Sequence, residues 1–155
     1  FRIHSDKYRG CVVWQFNDSW PAISWSIVDY YGDRKMAFYM LRLLYEPIQT
    51  FLMRKNERLE IFTVNDTGMM TRARVTIYID GDKAFSRSTL VPPHTSMNIG
   101  SIGLTYLPIV VHTEINKKMV RNFYPRGFFR RTGNILHKII MHICKITMMH
   151  TLQTK

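Results

Sequence analysis

Between residues 14 and 21 the chain reads Trp14-Gln15-Phe16-Asn17-Asp18-Ser19-Trp20-Pro21, and Ser24-Trp25-Ser26 follows closely. An indole offers a flat apolar face for stacking, and an adjacent carboxamide and carboxylate offer hydrogen bonds. Trp14, Asn17, Asp18 and Trp20 are therefore the first candidates for ligand contact. Each has a plainer reading. Trp14 suits a core, Asn17 and Asp18 suit Asx-type capping of a strand end, and Trp20 and Trp25 suit packed loop anchors. Acid–base catalysis would need paired carboxylates. The carboxylates of the first third are Asp6, Asp18, Asp29, Asp33 and Glu46. Asp29 and Asp33 read as loop and cap residues, and no acid/base pair emerges, so no catalytic residue is assigned. The six histidines assemble no metal site. His137, His142, Cys144 and His150 cluster near the end but match no common ligand spacing. No phosphate-binding glycine loop and no Ser-His-Asp arrangement is visible. No cofactor and no metal are expected.

The elements that must position these residues follow from pattern. Gly10-Cys11-Val12-Val13-Trp14-Gln15-Phe16 is a short apolar run closed by polar residues, and it reads as a strand buried on both faces. Pro21 makes the aromatic stretch after it a loop. Gly32-Asp33 offers a helix N-cap. Met36, Tyr39, Met40, Leu43 and Leu44 form an apolar stripe at three-and-four spacing, and Pro47 ends the helix. From Ile48 the texture is β. Strands are expected near 59–64, 71–80, 84–91, 96–102, 107–115 and 119–124, with a hairpin turn at Asp80-Gly81-Asp82. Ala73, Val75, Ile77 and Ile79 alternate with Arg72, Arg74, Thr76 and Tyr78. The core is expected to include Phe62, Val75, Ile77, Ile79 and Val111.

Charge separates the end from the rest. Residues 1–115 carry 13 Lys+Arg and 11 Asp+Glu, whereas 116–155 carry 9 Lys+Arg and no acid. The formal charge of +11 is therefore mostly that of the last quarter. Asn134 is placed to cap a helix with Ile135, Leu136, Ile139, Ile140, Ile143 and Ile146 on one stripe. Two cysteines argue against a disulfide scaffold. With no initiator Met and no signal-peptide run, the chain reads as a fragment.

The run Trp14 to Pro21, then Ser24-Trp25-Ser26, Asp29-Tyr30-Tyr31-Gly32, Lys35, Tyr39 and Pro47 resemble the end of the catalytic barrel in glycoside hydrolase family 2, in its β-mannosidase branch. Arg121-Asn122-Phe123-Tyr124 resembles the close of the sandwich that follows the barrel there. The resemblance implies the following organisation. Residues 1–47 are the last strand and helix of a (β/α)8 barrel, 48–125 an immunoglobulin-like antiparallel β-sandwich, and 126–155 a basic, helical tail unmatched to the family. It implies that Trp14 floors a sugar subsite, that its link to Gln15 is cis, and that Asn17 and Asp18 contact sugar hydroxyls or the loop shaping the pocket. It implies a retaining, exo-acting parent enzyme whose two catalytic glutamates lie upstream, and a β-linked oligosaccharide or glycoside as that parent's substrate. The missing barrel is then a partner. Two other functions compete: a non-catalytic accessory or carbohydrate-binding sandwich, and a basic nucleic-acid or membrane-surface binder acting through the tail. No nucleic-acid motif is present, so nucleic acid is not expected. A run-on or frame-shifted reading would also produce such a tail, and its Ile-rich stripe favours self-association.

Overall fold

The computed structural model describes residues 1–8 and 10–129. The expectations for a helical tail and its self-association lie outside the described residues from Arg130 onward. Among the described residues a short 3-10 helix covers Arg2–His4, and one α-helix, α1, covers Met36–Leu44. Seven strands follow: β1 Ile48–Lys55, β2 Arg58–Asn65, β3 Thr71–Ile79, β4 Asp82–Val91, β5 Thr95–Gly103, β6 Ile109–Ile115 and β7 Lys118–Tyr124. They form two antiparallel sheets, β1-β2-β5 and β4-β3-β6-β7. The chain crosses between sheets after β2, β4 and β5, which makes a β-sandwich of immunoglobulin-like order.

Period-two patterning explains the strands. In β3, Ala73, Val75 and Ile77 are fully buried while Arg72 and Arg74 face solvent. Leu59, Ile61, Val75, Ile77, Ile99, Ile109 and Val111 interdigitate between the sheets. The turn Asp80-Gly81 has both residues at positive φ (52° and 98°), the conformation of a tight two-residue hairpin. Asn116 and Lys117 repeat that geometry between β6 and β7. At Gly100 the β2–β5 ladder shifts register. The residue sits at φ 149°, and a Cβ there would meet the Phe85 ring at 2.9 Å. Only glycine fits that approach.

Several expectations are corrected. Residues 10–16 form no strand; only an isolated parallel bridge joins Asn17 to Val28. Among the described residues no strand lies beside this run, so its apolar pattern has no ladder to enter. Val12 is 93% exposed. The N-cap of α1 is Lys35 rather than Asp33, and it has no side-chain capping bond. Asp33 instead closes a turn in which Asp29 Oδ1 accepts from the backbone N–H groups of Tyr31 (2.9 Å) and Asp33 (2.8 Å). No side chain of α1 is fully buried. Phe62 is not in the core. It shares its face of β2 with Glu60 and pairs with Phe51, whereas Leu59 and Ile61 point inward. Ile79 is only partly buried, at the margin of the core. The sandwich also reaches past residue 125. Phe129 is buried against Tyr124, their rings stacked 5.4 Å apart, and its carbonyl accepts from Arg54 at 2.8 Å. An aromatic pair at Phe128-Phe129 is too apolar to remain a solvated linker.

Several side chains tie the N-terminal segment to the sandwich: Gln49 Nε2 donates to the Leu43 carbonyl at 2.9 Å, Lys118 pairs with Glu46 at 2.6 Å, and Arg2 makes the densest set of contacts. Arg2 is buried, and its guanidinium donates to the carbonyls of Leu44, Glu46 (2.9 Å) and Pro47 (3.3 Å) at the C-terminal end of α1. It also pairs with Asp66 at 2.8 Å and lies over the Phe51 ring at 5.5 Å. A second link is side-chain work on an open edge. β1 and β7 are edge strands of their sheets. Asn122 Nδ2 donates to the Thr50 carbonyl at 2.6 Å, and the Leu52 N–H donates to Tyr124 Oη at 3.0 Å. Two inward residues of β7, spaced by two, thus serve outward backbone groups of β1 with the same spacing. Burial pushes the Tyr124 phenol up to about 12.

Candidate functional site

The segment 14–35 is organised around one buried carboxylate. Backbone bonds first bring its two ends together. The Ile27 and Val28 N–H groups donate to the Phe16 carbonyl at 3.1 and 2.9 Å, and the Lys35 N–H donates to the Ile27 carbonyl at 3.0 Å. This places Asp18, Ser24, Ser26 and Lys35 side by side. Asp18 is 4% exposed. Its Oδ2 receives the Lys35 ammonium at 2.7 Å and its Oδ1 receives the Ser24 hydroxyl. Lys35 Nζ also donates to Ser26 Oγ at 2.7 Å, and that hydroxyl donates to the Val28 carbonyl at 2.8 Å. Ser24 Oγ further accepts from the Ser26 N–H at 3.0 Å. The result is a brace across the base of the aromatic loop 19–25.

Lys35, then Ser24, hold the Asp18 carboxyl down to about 2 from its usual 3.8; burial pushes the other way and is outweighed. The ionised form therefore favours the folded state. Its contribution is complete above about pH 5 and is lost as pH falls through 4 towards 2. Replacing Lys35 with Met is expected to remove that dependence. In the parent chain the mobility of the loop indoles, read by Trp fluorescence quenching, should rise as pH drops from 5 to 2.5. In the variant, quenching should be high and flat over the same range. A parent-like pH profile in the variant would show that another group titrates.

The four candidate contact residues divide. Asp18 faces inward, and both of its oxygens are occupied by the loop and by Lys35. Asn17 is exposed, its carboxamide 3.3 Å from the Asp18 carbonyl. Trp14 is 78% exposed and Trp20 68% exposed, so neither is a core residue of this chain. The Trp14–Gln15 peptide bond is cis. Trp25, Phe16, Ile23 and Tyr31 are exposed as well. So many apolar side chains on one short segment exceed what scattered surface residues explain, and such concentrations mark a binding or packing surface. Reading by residue type missed the role of Lys35. Its signal was its fixed place six residues after Asp29, together with serines at 24 and 26. Among the described residues no group of three His, Cys, Asp or Glu side chains is placed to hold a metal ion.

No family model matches the chain. Beta-mannosidase B of Aspergillus flavus is 27% identical over 136 residues, which is 86% of this chain and 14% of that protein. Beta-mannosidase B of Aspergillus terreus is 45% identical over 47 residues, 30% of this chain and 6% of that protein. Among solved structures, the β-D-mannosidase of Dictyoglomus thermophilum superposes with a TM-score of 0.66 at 26% identity, covering 81% of this chain and 17% of that one. The exo-chitosanase CsxA of Amycolatopsis orientalis superposes with a TM-score of 0.52 at 21% identity over 72% of this chain and 15% of that one, and speaks for the fold alone. The chain spans about 14% of the length of Aspergillus flavus beta-mannosidase B. Over most of its length, then, this chain is similar to one part of much longer proteins named as β-mannosidases.

Proposed function

We propose that this chain is part of a retaining, exo-acting glycoside hydrolase of the β-mannosidase kind, and that Trp14 forms the floor of its sugar subsite. The observation that carries the reading is the pairing of an exposed indole at position 14 with a buried Asp18, four residues on in the chain, that is braced by Lys35 and Ser24. A loop held by an ion pair and two serine hydroxyls presents its aromatic rings in one arrangement, which lowers the cost of ordering them around a ligand. A sugar ring laid on an indole gains apolar contact while its hydroxyls stay free for polar partners such as Asn17. Retaining hydrolysis needs two carboxyl groups about 5–5.5 Å apart. In this reading both come from outside these 155 residues, and so does the rest of the barrel that would cover Val12, Phe16 and Ile23. The isolated chain is accordingly expected to leave an aryl β-mannoside intact.

The test is Trp14→Ala in the full-length parent. Loss of the stacking face is expected to lower kcat/KM about tenfold, by analogy with base–aromatic stacking. The melting temperature should barely move, because exposed substitutions typically stay within about 0.5 kcal/mol. Retained kcat/KM together with a lowered melting temperature would make Trp14 a packing residue of the assembled barrel and overturn the reading.

A further inference from the structure

The outer face of the four-stranded sheet carries a second feature, remote in sequence from the aromatic loop. Registers place its residues in rows: Ser88, Arg74, Glu114 and Met119 in one; Ser86, Thr76, His112 and Arg121 in the next; Lys83, Tyr78, Val110 and Phe123 in a third, at the edge of the grid. The middle of the grid is small. Thr76 Oγ1 and Ser86 Oγ lie 3.4 Å apart. Larger side chains stand around them, leaving an open depression of about 420 Å³. That lies within the roughly 300–1,000 Å³ of small-molecule sites. One wall is aromatic: the Tyr78 and His112 rings are 5.2 Å apart and tilted by 59°. The opposite wall is a loose pair, Arg74 Nη1 and Glu114 Oε2, at 3.7 Å. Burial, with Arg121 adding to it, lowers the His112 imidazole from its usual value and so favours its neutral form.

We propose that this depression is a surface site for a neutral saccharide chain. The floor offers hydroxyls, which both donate and accept, and the Arg74–Glu114 wall offers a fork of donors beside a two-oxygen acceptor. That is the set which reads vicinal hydroxyl groups. Glu114 opposes a free anion, while Arg74 and Lys83 oppose a cation. A protein partner would need an apolar centre, and the centre here is Thr76 and Ser86. The open, shallow form suits a stretch within a chain lying across the sheet, with one sugar face against Tyr78. The inference takes nothing from the reading of Trp14.

The test is a titration of the full 155-residue chain with β-1,4-mannohexaose, cellohexaose and sodium sulfate, followed by calorimetry and by amide chemical shifts. Saturable binding of at least one hexasaccharide is expected, with shift changes centred on Thr76, Tyr78 and His112. Tyr78→Ala should weaken it about tenfold, and Glu114→Gln should weaken it with the melting curve unchanged. Trp14→Ala should leave it as it was. The proposal is overturned if neither hexasaccharide binds saturably, if sulfate binds in their place, or if the shift changes map to residues 14–25 and vanish in Trp14→Ala.

Discussion

Replacing Asn122 with alanine is expected to lower the stability of the sandwich by about 3–4 kcal/mol, because several buried groups lose partners at once. The Thr50 carbonyl loses a 2.6 Å bond from Nδ2. Gln49 Nε2 loses a 3.2 Å bond to Oδ1 and keeps only the Leu43 carbonyl, at 2.9 Å. Gln49 and Thr50 are fully buried, so water cannot replace what is removed. The strand edge itself is also at stake. Among the described residues β1 pairs only with β2, and without Asn122 its second edge presents an unpaired carbonyl. Urea unfolding followed by far-UV circular dichroism measures the loss. In a double-mutant cycle with Gln49→Ala the two substitutions should be non-additive by about 1 kcal/mol. A stability within 1 kcal/mol of the parent would mean that the edge of β1 is satisfied by solvent.

Arg2→Ala is expected to cost about 2–3 kcal/mol, and to do so mainly by releasing residues 1–47 from the sandwich. One guanidinium closes three carbonyls at the end of α1, neutralises Asp66 and covers Phe51. No other side chain reproduces that planar fork. Arg2→Lys should therefore recover less than half of the loss, since an ammonium cannot bridge carbonyls and a ring at the same time. Hydrogen exchange separates the two places where the loss could fall. Protection should drop first in Leu41 to Glu46, while Ile61, Ile77 and Val111 keep theirs. Uniform loss of protection across both sheets would show that residues 1–8 belong to the sandwich's own cooperative unit.

Much of this molecule is written in residue order, and the reason is that its strands obey a local rule. Alternation places Ala73, Val75 and Ile77 on one face of β3 whatever lies opposite, and Asp80-Gly81 turns the chain because only a few residue types accept positive φ. The same alternation already set Arg74, Thr76 and Tyr78 on a shared outer face. The cluster of Trp14, Asn17, Asp18 and Trp20 was legible by type, and its motif resembles the end of a glycosidase barrel. What each side chain does there was not legible, since roles depend on neighbours distant in the chain. Asp18 faces inward because Lys35, 17 residues later, returns beside it along the Val28 bridges. Phe62 turns outward although it is apolar, because Leu59 and Ile61 fix the parity of β2. The run 10–16 has a strand's pattern and, among the described residues, no strand's partners. Asn122 and Tyr124, 72 residues from the groups they serve, become the seal of an edge only once β7 lies across from β1. Local alternation thus determined the strands from β2 onward, while burial, parity and the closing of edges, which exist only when two sheets meet, decided which residues were left free to act.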